Sequence, residues 1–196
     1  QSVKKIVEMK QNISSVDHEI SELEKSVKSL HDTIADKREN IEALNSEISR
    51  YAPDRIQIRE FEKAMNNFRH QIEDEFSGLD RIMKKFVYFG ELDKEETRIL
   101  KEYINEPGLT FLEKDDSNLL RSILDSMQNY KDKQMIEIDE KKNEKIKDIL
   151  RQFDFLIQIR EHYKDAKNRK EEAQRQLDVK TDPIMQKIKA LVLETE

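Results

Sequence analysis

"ISSVDHEISELEKSVKSLHDTIADKRENIEALNSEI", residues 13–48, decides the fold. Ile13, Ile20, Val27, Ile34, Ile41 and Ile48 recur every seven residues, with Val16, Leu23, Leu30 and Leu44 between them. Ile6 and Met9 extend the series upstream and Tyr51 extends it downstream; Lys37 alone interrupts it. A sustained seven-residue repeat underwinds a helix to 3.5 residues per turn and wraps it left-handed around a partner. The arm 1–52 is then a rod of about 70 Å.

Two partners fit such a stripe. Ile or Val in the first position with Leu in the second favours a parallel two-stranded homodimer. The flanking pairs across that dimer would be Asn12–Asp17, Glu19–Glu24, Ser26–His31, Thr33–Arg38 and Asn40–Asn45. None joins opposite charges and one repels, at a few tenths of a kcal/mol per pair. The other partner is a later part of the chain. The first arm carries more acids than bases, whereas Lys164–Lys189 is richer in bases. We therefore expect an internal pairing: an all-α fold, a long antiparallel coiled-coil hairpin with a small helical head between the arms. The expected domains are 1–52 for the first arm, 53–138 for the head and 139–196 for the returning arm. The expected seam of the first arm is Ile6, Ile13, Ile20, Leu23, Val27, Leu30, Ile34, Ile41, Leu44 and Ile48.

Composition agrees with rods. Of 196 residues 40% are charged, with three Gly and three Pro; an ordinary domain has about 25% charged residues. No Cys is present, which removes disulfides, thiolate zinc sites and thiol nucleophiles. A net charge of −6 disfavours a broad nucleic-acid surface. No apolar run approaches the roughly 20 residues a membrane span needs. These features suit a cytoplasmic protein. The chain opens at Gln1 and stops in mid-pattern at "LVLETE", which reads as a piece of a longer protein.

"YAPDR" ends the first arm at Pro53, and a Phe-rich helix is expected over 54–89, with Ile58, Phe61, Met65, Phe68, Ile72, Phe76, Leu79, Met83 and Phe86 as its stripe. "FVYFGE" closes it at Gly90. Phe86, Val87, Tyr88 and Phe89 form the candidate partner patch. Asp93 and Glu96 are spaced as a capping box for a short helix that Pro107-Gly108 stops. A loop then enters another short helix capped by Asp115, Asp116 or Ser117. Residues 134–139 suit either a short strand or a helix, and a break is favoured, with Asp139 capping the last long helix. Pro183 is expected to kink or end that helix.

The stretch "LDKEETRILKEYINEPGLTFLEKDDSNLLRSILDSMQNYKDKQMIEIDEKKNEKIKDIL" resembles a segment of archaeal coiled-coil proteins described as SMC-like or SbcC-like. The shared elements are a Tyr-x-x-acidic-Pro step, here Tyr103 to Pro107, an acidic loop, a Leu/Ile-rich helix and a charged piece running into "DEKK". The resemblance implies coiled-coil architecture and a place in a chromosome-organising or cell-division assembly.

No chemistry-bearing constellation emerges. His18, His31, His70 and His162 have no second His or Cys at ligand spacing, and Asp115-Asp116 lacks a calcium-loop pattern. No P-loop occurs. We expect no catalytic residue, cofactor, metal or small-molecule substrate. The expected role is structural: self-association as a homodimer, or docking of other coiled-coil proteins. The alternative is a DNA- or anionic-membrane-binding module using Lys164, Lys167, Arg169, Lys170 and Arg175.

Overall fold

A computed structural model describes residues 2–194; for residues 2–5, 7 and 8 it gives the backbone alone. The described chain is all-helical: α1 (Ser2–Ser49), α2 (Ala52–Phe76), α3 (Asp80–Phe89), α4 (Lys94–Asn105), α5 (Pro107–Leu109), a π-helical turn (Thr110–Lys114), α6 (Leu119–Asp132), α7 (Glu140–Arg151) and α8 (Phe153–Leu193). It divides into two compact units: residues 1–53 with 176–196, and residues 54–175. The division puts α7 and more than half of α8 in the second unit.

The first unit pairs the end of α1 with the end of α8. Lys37 Nζ lies 3.0 Å from Glu194 Oε2. Leu44 shares a shallow groove with Ala190 and Leu191. Lys180 Nζ sits 5.7 Å from the centre of the Tyr51 ring. Rising numbers on α1 meet falling numbers on α8, so the two segments run in opposite directions. Ile41, Leu44 and Ile48 are half-buried, and Leu177, Thr181 and Ile184 are buried. The Thr181 hydroxyl donates to the Leu177 carbonyl at 3.0 Å, which lets a polar side chain sit buried on α8. Pro183 does not end α8; the helix continues ten residues to Leu193.

The second unit has an aromatic core. Phe76 meets Tyr103 at 5.7 Å and Phe111 at 5.9 Å, Phe111 meets Phe153 edge-on at 5.9 Å, and Phe86 meets Tyr130 edge-on at 5.2 Å. Such contacts add about 0.5–1.5 kcal/mol each beyond the area they bury. Here too α2 and α8 run oppositely: Glu62 pairs with Lys170, Phe68 stacks on His162, and Gln152 donates to Glu75.

Three expectations are corrected here. The helix expected over 54–89 is two helices, because Gly78 adopts φ +80 and breaks the chain between Phe76 and Asp80. The apolar spacing survives the break, so periodicity alone runs across it. The helix that Asp139 caps ends at Arg151, and α8 starts after Gln152. "TFL" is a buried π-turn and not loop: Thr110, Phe111 and Leu112 are fully covered. Residues 134–139 make the break that the sequence favours: Gln134 takes φ 55, and Ile136 and Ile138 drop into the core from irregular backbone.

Other local readings match. Asp93 accepts from the Glu95 and Glu96 N–H groups while Glu96 accepts from the Asp93 N–H, a complete capping box. The Gly90 N–H closes α3 on the Phe86 carbonyl at 2.8 Å. Asp115 holds the start of α6: it accepts from the N–H groups of Leu119 at 2.7 Å and Leu120 at 3.0 Å and from the Tyr103 hydroxyl at 2.8 Å.

Candidate functional site

α1 has 48 residues without Gly or Pro, and the apolar series that runs from Ile6 in steps of three and four shares one face. α8 covers that face only from Lys37 onward. Upstream, Ile6, Met9, Ile13, Val16, Ile20, Leu23, Val27 and Leu30 are 49–65% exposed, and Ile34 is 36% exposed. Of the returning segment, residues 176–196 belong to the unit that holds α1.

This uncovered face is the largest anomaly in the structure. Single exposed apolar residues are ordinary, but a contiguous run of nine is not. Between them stand Asp17, Glu19, Glu24 and Lys28, all exposed, with Lys25 paired to Glu22 at 2.8 Å. Ile20, Leu23 and Val27 line a shallow groove with Glu24, Lys28 and His31. The His31 ring donates to the Val27 carbonyl at 3.1 Å, which keeps the imidazole on its own helix.

Lys37 marks where the covered face ends. Its ammonium donates to the Glu194 carbonyl at 3.1 Å as well as pairing with the Glu194 carboxylate. A helix C-terminus presents unsatisfied carbonyls and partial negative charge, so a cation belongs there. The residue that breaks the apolar series therefore has a partner on the returning segment.

The patch expected at 86–89 divides. Phe86 is fully buried and Val87 half-buried, whereas Tyr88 and Phe89 are 81% and 64% exposed. The reason is helical: Phe86 lies on the same face as Ile82 and Met83, and Tyr88 and Phe89 follow Arg81, Lys84 and Lys85 round to the other. These residues line an open groove with Glu137, Ile138, Asp139 and Lys142. Lys84 pairs with Asp80, Lys142 pairs with Asp139, and Lys85 donates to the Glu137 carbonyl at 3.4 Å. Sequence reasoning named the aromatics and missed the lysines beside them, although their spacing on α3 was visible.

The basic cluster of α8 holds carboxylates already. Lys164 pairs with Asp116 at 2.8 Å, Lys167 with Glu113 at 2.9 Å, Arg169 with Asp165 at 3.0 Å, Lys170 with Glu62 at 2.9 Å and Arg175 with Glu172 at 3.3 Å. The hydrogen bond from Lys164 holds the Asp116 carboxyl below its ordinary range. Burial pushes Glu113 up, but hydrogen bonds from Tyr163 and Lys167 bring it net below the usual carboxylate value. Lys164, Lys167 and Lys170 thereby tie α8 to other parts of the second unit, while Arg169 and Arg175 pair within α8.

Among the described residues no group of three His, Cys, Asp or Glu can hold a metal ion, and no helix is long and apolar enough to cross a membrane. His18 and His31 are exposed, His70 donates to Glu73, and His162 stacks on Phe68. The most buried polar cluster is structural. Burial and the neighbouring Asp115 hold the Tyr103 phenol well above its ordinary pKa, so it stays a donor. Arg160, 3% exposed, lies 4.2 Å over the Phe111 ring and donates to Asn118 at 2.8 Å. That bond holds Asn118 in the left-handed conformation that starts α6. No family model, curated protein or solved structure matches this chain.

Proposed function

We propose that this chain is a non-enzymatic structural module whose α1 rod docks a helical partner on its uncovered face. In this reading the ends of α1 and α8 form an antiparallel two-helix coiled coil. One observation carries it: nine apolar side chains from Ile6 to Ile34 stand half in water along one face. Covering them would stabilise an assembly by roughly 10 kcal/mol before the cost of association. The resemblance of residues 92–150 extends the reading to a cytoplasmic, chromosome-organising or cell-division assembly of the archaeal kind.

The test is Ile13→Asp with Ile20→Asp and Val27→Asp. The three side chains are exposed, so helicity and melting of the isolated chain should hold. Association, read as mass by light scattering and as capture of partner helices, should vanish. A triple variant that associates as the unaltered chain does would overturn the reading. The hairpin is tested by Leu44→Cys with Leu191→Cys, which should form an intramolecular disulfide without change of mass.

A second reading draws on α3. Arg81, Lys84, Lys85 and Lys142 surround exposed Tyr88 and Phe89, an arrangement suited to an anionic partner with an apolar element. DNA and anionic vesicles are the probes; binding should fall steeply with salt and be lost with Arg81→Ser and Lys85→Ser.

A further inference from the structure

We infer that α3 is a membrane-facing element: its Tyr88–Phe89 end enters the interface of an anionic bilayer, with Arg81, Lys84 and Lys85 at the level of the headgroup phosphates. The inference rests on the reading of this face as the site of an anionic partner and specifies that partner.

The helix has two sides. At 100° per residue Arg81, Lys84, Lys85, Tyr88 and Phe89 share an arc of about 140°. Ile82, Met83 and Phe86 hold the opposite side in the core, so the exposed side is presented on a fixed element. Tyr88 and Phe89 are the most exposed aromatic residues between 54 and 175; Phe155 is 50% exposed and the others are buried or half-buried. Met135, 57% exposed, stands two residues from Glu137, whose carbonyl accepts from Lys85.

The cations of this face differ from those of α8. Lys164, Lys167 and Lys170 each hold a carboxylate. Among the described residues Arg81 has no ion pair, and Lys85 reaches only a backbone carbonyl. Two positive charges therefore stand uncompensated beside two exposed rings.

The rings choose among anionic partners. A DNA duplex offers phosphates but no apolar phase for Tyr88 and Phe89. Glu137 and Asp139 also line the groove beside α3, and both oppose a phosphate backbone laid along it. An acidic peptide gains most where its side chains are enclosed, and this groove is open, with the two rings at its rim. At a bilayer every feature agrees. Aromatic rings settle at the headgroup boundary, and lysine and arginine stems cross apolar surface while their charged ends stay at the phosphates. Each buried ring raises partitioning about tenfold, and each cation at an anionic leaflet about fivefold. Two rings and two uncompensated cations give roughly a thousandfold in all, a reversible, peripheral contact.

The test uses the full chain with phosphatidylserine–phosphatidylcholine vesicles, pure phosphatidylcholine vesicles and a short DNA duplex, all at low salt. The sequence has no Trp, so Phe89→Trp installs a single fluorophore and keeps an aromatic ring. Its emission should shift to the blue and be quenched by brominated acyl chains with the anionic vesicles, and stay unshifted with the neutral ones. Phe155→Trp is the control and should not shift; an equal shift there would overturn the assignment to α3. Tyr88→Ser with Phe89→Ser should lower binding to anionic vesicles about a hundredfold, at unchanged helicity because both side chains are exposed. A double variant that binds as the unaltered chain does would overturn the inference. Binding to DNA but not to vesicles, lost with Arg81→Ser and Lys85→Ser, would overturn the bilayer and leave the anionic-partner reading standing. Binding to neither would overturn both.

Discussion

Lys37 Nζ lies 3.0 Å from the Glu194 carboxylate and 3.1 Å from the Glu194 carbonyl oxygen, although 157 residues separate them in the chain. The Lys37 side chain is only 20% exposed, so this contact is partly shielded from solvent. It fixes the register between α1 and α8, because a slip of one heptad would set the ammonium beside Lys187 in place of Glu194. Lys37→Glu would place two carboxylates and a helix C-terminus together. We expect a loss of about 1 kcal/mol and a several-fold rise in amide exchange over the last turn of α8. Lys37→Leu should preserve pairing but allow cross-links one heptad out of register.

The Asp115 carboxylate serves two backbone N–H groups and the buried Tyr103 hydroxyl. Asp115→Ala leaves all three donors unmet and should cost about 2–4 kcal/mol in urea denaturation. Tyr103→Phe removes one donor together with its bond and should cost about 1 kcal/mol. If the two substitutions prove equally costly, the cap at α6 contributes little and this assignment of roles fails.

Periodicity made α1 readable as one long helix; its flanking charges weighed against a parallel homodimer. Periodicity does not say what covers each stretch of the stripe, which depends on contacts between residues far apart in the chain. The break at Gly78 was written in the sequence but hidden by Phe76, Leu79 and Met83, whose spacing imitates a continuous helix. Tyr88 and Phe89 were legible as a patch; that Phe86 turns inward depends on contact with Tyr130, 44 residues away. The ties of Lys164 and Lys167 to Asp116 and Glu113 were illegible for the same reason: they join residues 48 and 54 apart.

Acid should weaken the second unit by a definable route. Hydrogen bonds from Lys164 to Asp116 and from Lys142 to Asp139 hold both carboxyls below their ordinary values. The hydrogen bond from Arg69 does the same for Glu73, against the opposing effect of burial. A carboxyl depressed in the folded state stabilises above its unfolded pKa, about 4, and that stability is lost as pH falls through the lower folded value. The melting temperature should therefore hold from pH 7 to about 5 and drop below about 4. At the alkaline end the sign reverses. Burial raises Tyr103 and Tyr163 in the folded state, so unfolding becomes favoured as pH rises past about 10, where the unfolded phenols ionise. A melting temperature that climbs between pH 5 and 3 would contradict these ties.

Gly78 and Gly108 should respond to alanine for different reasons. At Gly78 a Cβ meets nothing within 4 Å, but φ is +80, so Gly78→Ala should cost about 1 kcal/mol through the backbone alone. At Gly108 a Cβ would lie 2.8 Å from Glu73 Cγ and 3.0 Å from both Arg69 Cγ and the Arg69 carbonyl oxygen. Gly108→Ala should therefore cost about 1–3 kcal/mol by pushing α5 off α2. A double-mutant cycle separates the two. Glu73→Ala should recover part of the Gly108→Ala loss, because the nearest atom is gone, and none of the Gly78→Ala loss. Denaturation midpoints for the four variants and the parent give both coupling energies; equal coupling at the two glycines would refute the close approach of α5 to α2.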